Sequence, residues 1–332
     1  MSYGFDSVRA RVQNKSRETG LKPDILYQRY LLERFIARMA ASEHSESIII
    51  KGGILISAMT GIDMRATKDI DATIIGSRLT MQDFEKIAKD VIDIDLHDNI
   101  HYKFVRAEEI ILDNSYPCCR VHLRALLGTM NAKVEIDLTS GDVITPKEVD
   151  FGFPALFGGE NIKILAYNLE TILAEKMTAI LDLGVFNTRA KDFYDIHLIT
   201  STLSDKFSNT VLREAFHNTL KRRNKESLLS SAEDTITQIL GSQDIQKHWE
   251  KYRTEYAYAT DVEFVKIESA LVQLFEQIGA KIENTKEIPR KKIPKSLMGR
   301  MDYYQKRVDA NNATEALSSK NKENSYKGYS ID

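Results

Sequence analysis

The stretch DIDATII, residues 69–75, sets two acids one position apart in a run that otherwise has the composition of a buried strand. Strand side chains alternate between faces, so Asp69, Asp71 and Thr73 share one face while Ile70, Ala72 and Ile74 share the other. Two like charges about 4 Å apart repel by roughly 4 kcal/mol at an effective dielectric of 20. A chain with this pattern at the edge of its core must fold so that something neutralises the pair.

The flanking segments suggest what that is. SIII followed by Lys51 reads as a short buried strand, Gly52 and Gly53 interrupt it, and ILISAMTG reads as a short helix ending at Gly61. Backbone N–H groups at a glycine-rich turn into a helix can meet a phosphate, with no Cβ to hold it off. Further on, KVEIDLTSGD repeats the strand pattern, with Val134, Ile136 and Leu138 inward and Glu135, Asp137 and Thr139 outward. If the two strands are neighbours, Asp69, Asp71 and Asp137 converge. Hard oxygen ligands with room for water and phosphate oxygens suit Mg²⁺. Acids beside a phosphate-binding turn point to metal-assisted phosphoryl or nucleotidyl transfer.

The remainder orders itself around these segments. PDILYQRYLLERFIARMAAS is a helix with a proline in its first turn, and LTMQDFEKIAKDVIDI opens with a capping box at Thr80. HYKFVRAEEI and CCRVHLRALL alternate as strands. From about Asn168 to Ile282 the periodicity is helical. In LETILAEKMTAILDL, Lys176 falls in the apolar stripe of Leu169, Ile172, Leu173, Ile180 and Leu183; in RAKDFYDIHLI, Asp192 shares a face with Ile196 and Ile199. Buried charges need partners. The two either form a structural ion pair or serve the site, with Arg189 and Lys191 as further phosphate contacts. The expected organisation is an α/β domain over residues 1–155 that includes an N-terminal helix, a helical domain over 156–285, and a basic, then polar, tail over 286–332.

Composition excludes some alternatives. The net charge of −2 provides no global field to recruit nucleic acid or membrane, so such contacts must come from local patches. Cys118 and Cys119 are adjacent and poorly disposed for a disulfide, which fits a reducing compartment. No leader-like or membrane-spanning apolar run is present in the sequence, and a cytoplasmic location is expected. His97 and His101 have a helical metal-ligand spacing, but Asn99 favours a turn, and a zinc site there is not expected.

On KGG at Lys51–Gly53, RATKDIDATI from Arg65, KVEIDLTSGDVITP from Lys133, LAEKMTAIL from Leu173 and NTRAKDFYDI from Asn187, the chain resembles the AbiEii/AbiGii-type toxins of bacterial toxin–antitoxin and abortive-infection (phage-defence) systems. The resemblance spans roughly residues 20 to 285. It implies a polymerase-beta-like nucleotidyltransferase mixed sheet followed by a helical domain, a Mg²⁺-dependent enzyme with two metal ions, and a nucleoside triphosphate substrate. It further implies an RNA acceptor, the 3′ end of tRNA, and a cognate antitoxin, with no membrane partner. Asp69, Asp71 and Asp137 would hold the metal, with Asp137 activating the attacking hydroxyl; Lys176 would contact phosphates and Asp192 would be the last motif's acid. Lys51, Gly52, Gly53, Ser57, Arg65, Thr67, Lys176, Arg189 and Lys191 would line the nucleotide. The resemblance has one departure, Ile54 where a hydroxyl residue often follows the glycine; Ser57 and Thr60 are the nearest substitutes. Two other readings stay open: a kinase-like toxin moving a γ-phosphoryl group to protein, and a binding protein without catalysis.

Overall fold

The computed structural model describes residues 4–61, 65–76, 79–110 and 118–280. The tail from residue 286 lies outside the described residues. The chain begins with α1 (Phe5–Thr19) and α2 (Pro23–Ala41), then β1 (Ile48–Lys51), α3 (Gly52–Thr60), β2 (Asp69–Ile74) and α4 (Met81–Ile92). Strands β3 (His101–Glu109), β4 (Cys118–Leu127), β5 (Met130–Ser140), β6 (Val149–Phe153) and β7 (Ile162–Ala166) follow. Helices complete it: α5 (Leu169–Leu183), α6 (Ala190–Thr202), α7 (Asn209–Arg222), α8 (Ser227–Ser230), α9 (Ala232–Leu240), α10 (Gln243–Glu255) and α11 (Phe264–Gln277).

All seven strands form one mixed sheet in the order β3-β4-β5-β2-β1-β7-β6. β2 runs parallel to β5 and β1 parallel to β7; the other neighbours are antiparallel. The apolar half of each alternating strand faces one way. Ile70, Ala72, Val121, Leu123, Val134 and Ile136 are buried there, under α2 and α4. The expected caps form: Thr80 accepts from the Asp83 amide while Asp83 accepts from the Thr80 amide, and Pro23 opens α2.

The sheet extends past the boundary expected at residue 155. β6 and β7 are strands of this same sheet, and the purely helical part starts at Leu169. Asn168 makes the junction. Its Oδ1 accepts from the Thr171 amide at 2.8 Å to start α5, and its Nδ2 donates to the Thr145 and Lys147 carbonyls. α5 packs on α7, and α6 packs between α3 and α11. Trp249 is buried and donates to the Val262 carbonyl at 3.1 Å, stacked with Tyr194 and Tyr252. Among the described residues, no helix is long and apolar enough to cross a membrane. Both cysteine thiols are free and buried.

The polar face of the sheet departs from the simple outward reading. Thr73 and Thr139 are buried, with the Thr139 hydroxyl donating to Asp142 at 2.7 Å. The helical part covers that end of the face: Glu175 of α5 lies 4.0 Å from the Lys51 ammonium, and Arg222 of α7 donates to the Gly141 carbonyl, while the Tyr167 hydroxyl just before α5 donates to Asp142. Asp69, Asp71, Glu135 and Asp137 are only partly buried, so the face opens at the acidic end.

Candidate functional site

β2 lies between β1 and β5, which brings the acids together. Asp71 is in register with Asp137 on one side and Lys51 on the other; Asp69 is in register with Glu135. The convergence expected of two separated strands is therefore present in the backbone. Asp71 carries most of the electrostatic conflict. Burial raises its pKa, the charges of Asp69 and Asp137 raise it further, and Lys191 and Lys51 only partly oppose them, leaving it at about 6.

The diglycine turn is built against this carboxylate. Gly52 has φ of 67°, a left-handed conformation, and a Cβ there would overlap the Asp71 side chain. A Cβ on Gly53 would lie 3.1 Å from both a guanidinium nitrogen of Arg65 and the hydroxyl of Thr67. Thr67 donates to Asp69 at 2.8 Å. Gly52, Gly53, Arg65, Thr67, Asp69 and Asp71 thus form one contiguous cluster at the start of α3, with Gly53 and Arg65 buried in it.

Two supports were not evident in the sequence reading. Arg120 on β4 is in register with Asp137 and grips it through Nε and Nη2, both at 2.7 Å. On the other side, Lys51 donates to Asp142 at 2.5 Å, and its ammonium lies 5.4 Å from the Tyr167 ring centroid. Burial alone would push Asp142 up, but the Lys51 ammonium and the Thr139 hydroxyl hold it well below the usual carboxylate range. Strand alternation was the available signal for Arg120; Asp142 sits after the strand, where no periodicity identifies it.

The charges in the helical stripe find each other. Lys176 donates to Asp192 at 3.0 Å and to Asp195 at 2.7 Å, and Arg189 lies 2.9 Å from Asp192. Despite burial, Lys176 and Arg189 pull the Asp192 pKa down to about 2. Arg65 Nε donates to Asp195 at 2.7 Å. Because Arg65 also stands against Gly53, it links this cluster to the diglycine turn. The expected ion pair is thus present and larger than the sequence suggested, with Asp195 as its second acid. Lys191, the next residue along α6, is exposed, and its charge acts on Asp71. Ser57 is buried within α3 with its hydroxyl unpartnered, so it does not line the open surface.

Whether a divalent cation suits the acids can be judged from their own chemistry. Asp69 and Asp71 are oxygen donors on one face of β2, and Asp71, its pKa raised first by burial and then by the charges of Asp69 and Asp137, gains from a nearby positive charge, so the pair fits a hard cation. Among the described residues, the one group of three metal-type ligand atoms within 4.8 Å of one another is instead Glu43, His44 and Asp90, at the far end of β1. Arg120 occupies both oxygens of Asp137. Completing a three-acid site would require Asp137 to share its remaining lone pairs.

A seven-stranded mixed sheet with paired acids on adjacent strands, beside a glycine turn that opens a helix, makes this a protein of the α/β class. A family model for the nucleotidyl transferase AbiEii toxin of type IV toxin–antitoxin systems matches residues 34–294, and the chain belongs to that family. Two crystal structures from Helicobacter pylori are similar to it. One, a candidate nucleotidyltransferase, is 12% identical with a TM-score of 0.45, over 78% of this chain and 97% of that one. The other, JHP933, is 13% identical with a TM-score of 0.44, over 78% and 94%. No curated protein matches the chain.

Proposed function

We propose that the protein is a toxin that transfers a nucleotide from a nucleoside triphosphate to an RNA acceptor, the 3′ end of tRNA, and so blocks translation in the cytoplasm. The observation that supports this reading best is the register of Asp71 with Asp137 beside a diglycine turn whose glycine is molded to the Asp71 carboxylate. Asp69 and Asp71, joined by Asp137, would hold Mg²⁺, which supplies charge neutralisation at the phosphates.

The chain's own groups have distinct tasks. The backbone N–H groups at Gly52 and Gly53 and the N-terminus of α3 receive the triphosphate. Arg65, Thr67 and Lys191 border that position, with Arg189 beyond them, while Lys51 balances Asp71 from β1. Lys176, held between Asp192 and Asp195, fixes Arg65 through Asp195 and presents its cluster to the phosphates. Asp137 accepts the proton of the acceptor hydroxyl on a lone pair that Arg120 leaves free. The hydroxyl oxygen bonds to the α-phosphorus, the bond to the β-phosphate oxygen breaks, and pyrophosphate leaves. A cognate antitoxin is the partner that would restrain this activity.

Incubation with triphosphate labelled at either the α or the γ position tests the reading. Label from the α position on RNA is the expected result. Label only from the γ position, and on protein, would replace it with a kinase-like toxin, and no transfer from either would favour a binding protein.

A further inference from the structure

The acids lie at one end of a polar face that continues over β5, β4 and the edge strand β3. Register partners share a face, so Lys133, Arg124 and Lys103 form one row across these three strands. All three are exposed. Both pairings in the row, Lys103 with Arg124 and Arg124 with Lys133, set like charges opposite each other, which is unfavourable in an antiparallel pair.

The face's acids relieve this only at the β5 end, where Glu135 pairs with Lys133. Glu108 is engaged by Arg106 and His122, Glu135 by His122 and Lys133, and Asp137 by Arg120. Lys103 and Arg124 have no hydrogen-bond or ion-pair partner among the described residues. Two spare cations and a third beside them therefore stand in a straight row on the open face. Strand spacing makes the row about 10 Å long, and four residues of β5 put it about 13 Å from Asp137.

We infer that this row binds the phosphate backbone of the single-stranded acceptor RNA, a few nucleotides from the end that reacts. The inference rests on the nucleotidyl-transfer reading and deepens it. Evenly spaced cations fixed by strand register suit the evenly spaced phosphates of a nucleic-acid strand better than the irregular charges of an acidic protein. Their distance from the acids allows the terminal hydroxyl to reach Asp137 while the backbone remains on β3 to β5.

The test uses the full chain with a short labelled single-stranded RNA, titrated across a range of salt. For the wild type, log Kd should vary linearly with log salt. The double variant Lys103→Ala/Arg124→Ala should bind several-fold more weakly at low salt, with a slope shallower by about 0.7 for each cation removed. The control Lys247→Ala/Lys251→Ala, which removes the same charge from exposed positions on α10, should leave both unchanged. Melting temperature should be unchanged in the control and unchanged or slightly higher in the double variant, which loses a like-charge pairing, and its shift with nucleoside triphosphate and Mg²⁺ should be the same in all three proteins, which separates docking from folding and from the nucleotide site. Equal RNA binding and slope in the double variant and wild type would overturn the surface while leaving nucleotidyl transfer standing. A wild type that binds no RNA, yet binds polyglutamate in a way the double variant loses, would overturn it in favour of an acidic protein partner. Loss of α-label transfer to any RNA by the wild type would be the failure of the underlying reading.

Discussion

Asp71 concentrates the molecule's electrostatic strain, and it gives the most direct residue-scale predictions. An acid whose folded pKa is raised to about 6 costs stability wherever it is ionised. The cost is full above that pKa and absent below the unfolded value, so the metal-free protein should lose stability as pH rises between about 4 and 6. Asp71→Asn should flatten this loss and raise stability near neutrality by up to about 3 kcal/mol; thermal melts across pH read both. Asp192, held at about 2, acts oppositely: its contribution is lost as pH falls below about 4, so the two effects occupy different windows. Gly52 offers a second residue-scale test. Alanine there meets both the positive φ, worth about 1–2 kcal/mol, and the Asp71 carboxylate. Gly52→Ala should lower the melting temperature and abolish any shift with triphosphate, whereas Gly53→Ala, with more room, should do less.

At the scale of elements, α6 joins the helical part to the site through acids rather than through apolar packing alone. Replacing Lys176 by Met leaves Asp192 and Asp195 short of a partner in a buried setting, and loss of about 3–5 kcal/mol is expected. In the double variant Lys176→Met/Asp192→Asn the loss should be smaller than the sum of the singles, as chemical denaturation would report. This pairing was partly legible in the sequence, because a lysine in an apolar stripe has to find a countercharge. Asp195 was not, since it lies beside Asp192 on a helix whose buried stripe is wide. Strands β2 and β5 were legible because alternation runs through six or more residues. β6 and β7 are five residues each, in glycine-rich surroundings, and β7 has too little alternation to stand out from a loop. The fold of α1 was equally obscure: only Val8 and Val12 of its residues are buried, so its apolar stripe is thin.

For the molecule as a whole, the order of motifs carried more information than any single one. Strand, diglycine, helix, paired acids and a later acidic strand predict a neighbouring β2 and β5, and the sheet order supplies that adjacency. What the order could not convey was how the face is divided, with its far end closed over by α5 and its β3 side left open. That division depends on contacts between residues far more than twenty positions apart, such as Glu175 of α5 with Lys51 of β1. If the acidic end is the ligand site, a triphosphate with Mg²⁺ present at about a hundred times its Kd should stabilise the fold by about 2.7 kcal/mol. A thermal shift with the four triphosphates in turn would also identify the preferred base.

On the proposed function, the carboxylate pair on β2, facing Asp137, is where a nucleotide changes hands. Its most direct test is transfer of label from an α-labelled triphosphate to tRNA, measured side by side for the wild type and for Asp71→Asn with the fold of each verified by melting. Labelled RNA is expected from the wild type and none from a variant that melts at the same temperature or higher. Undiminished labelling by Asp71→Asn would contradict the proposed function.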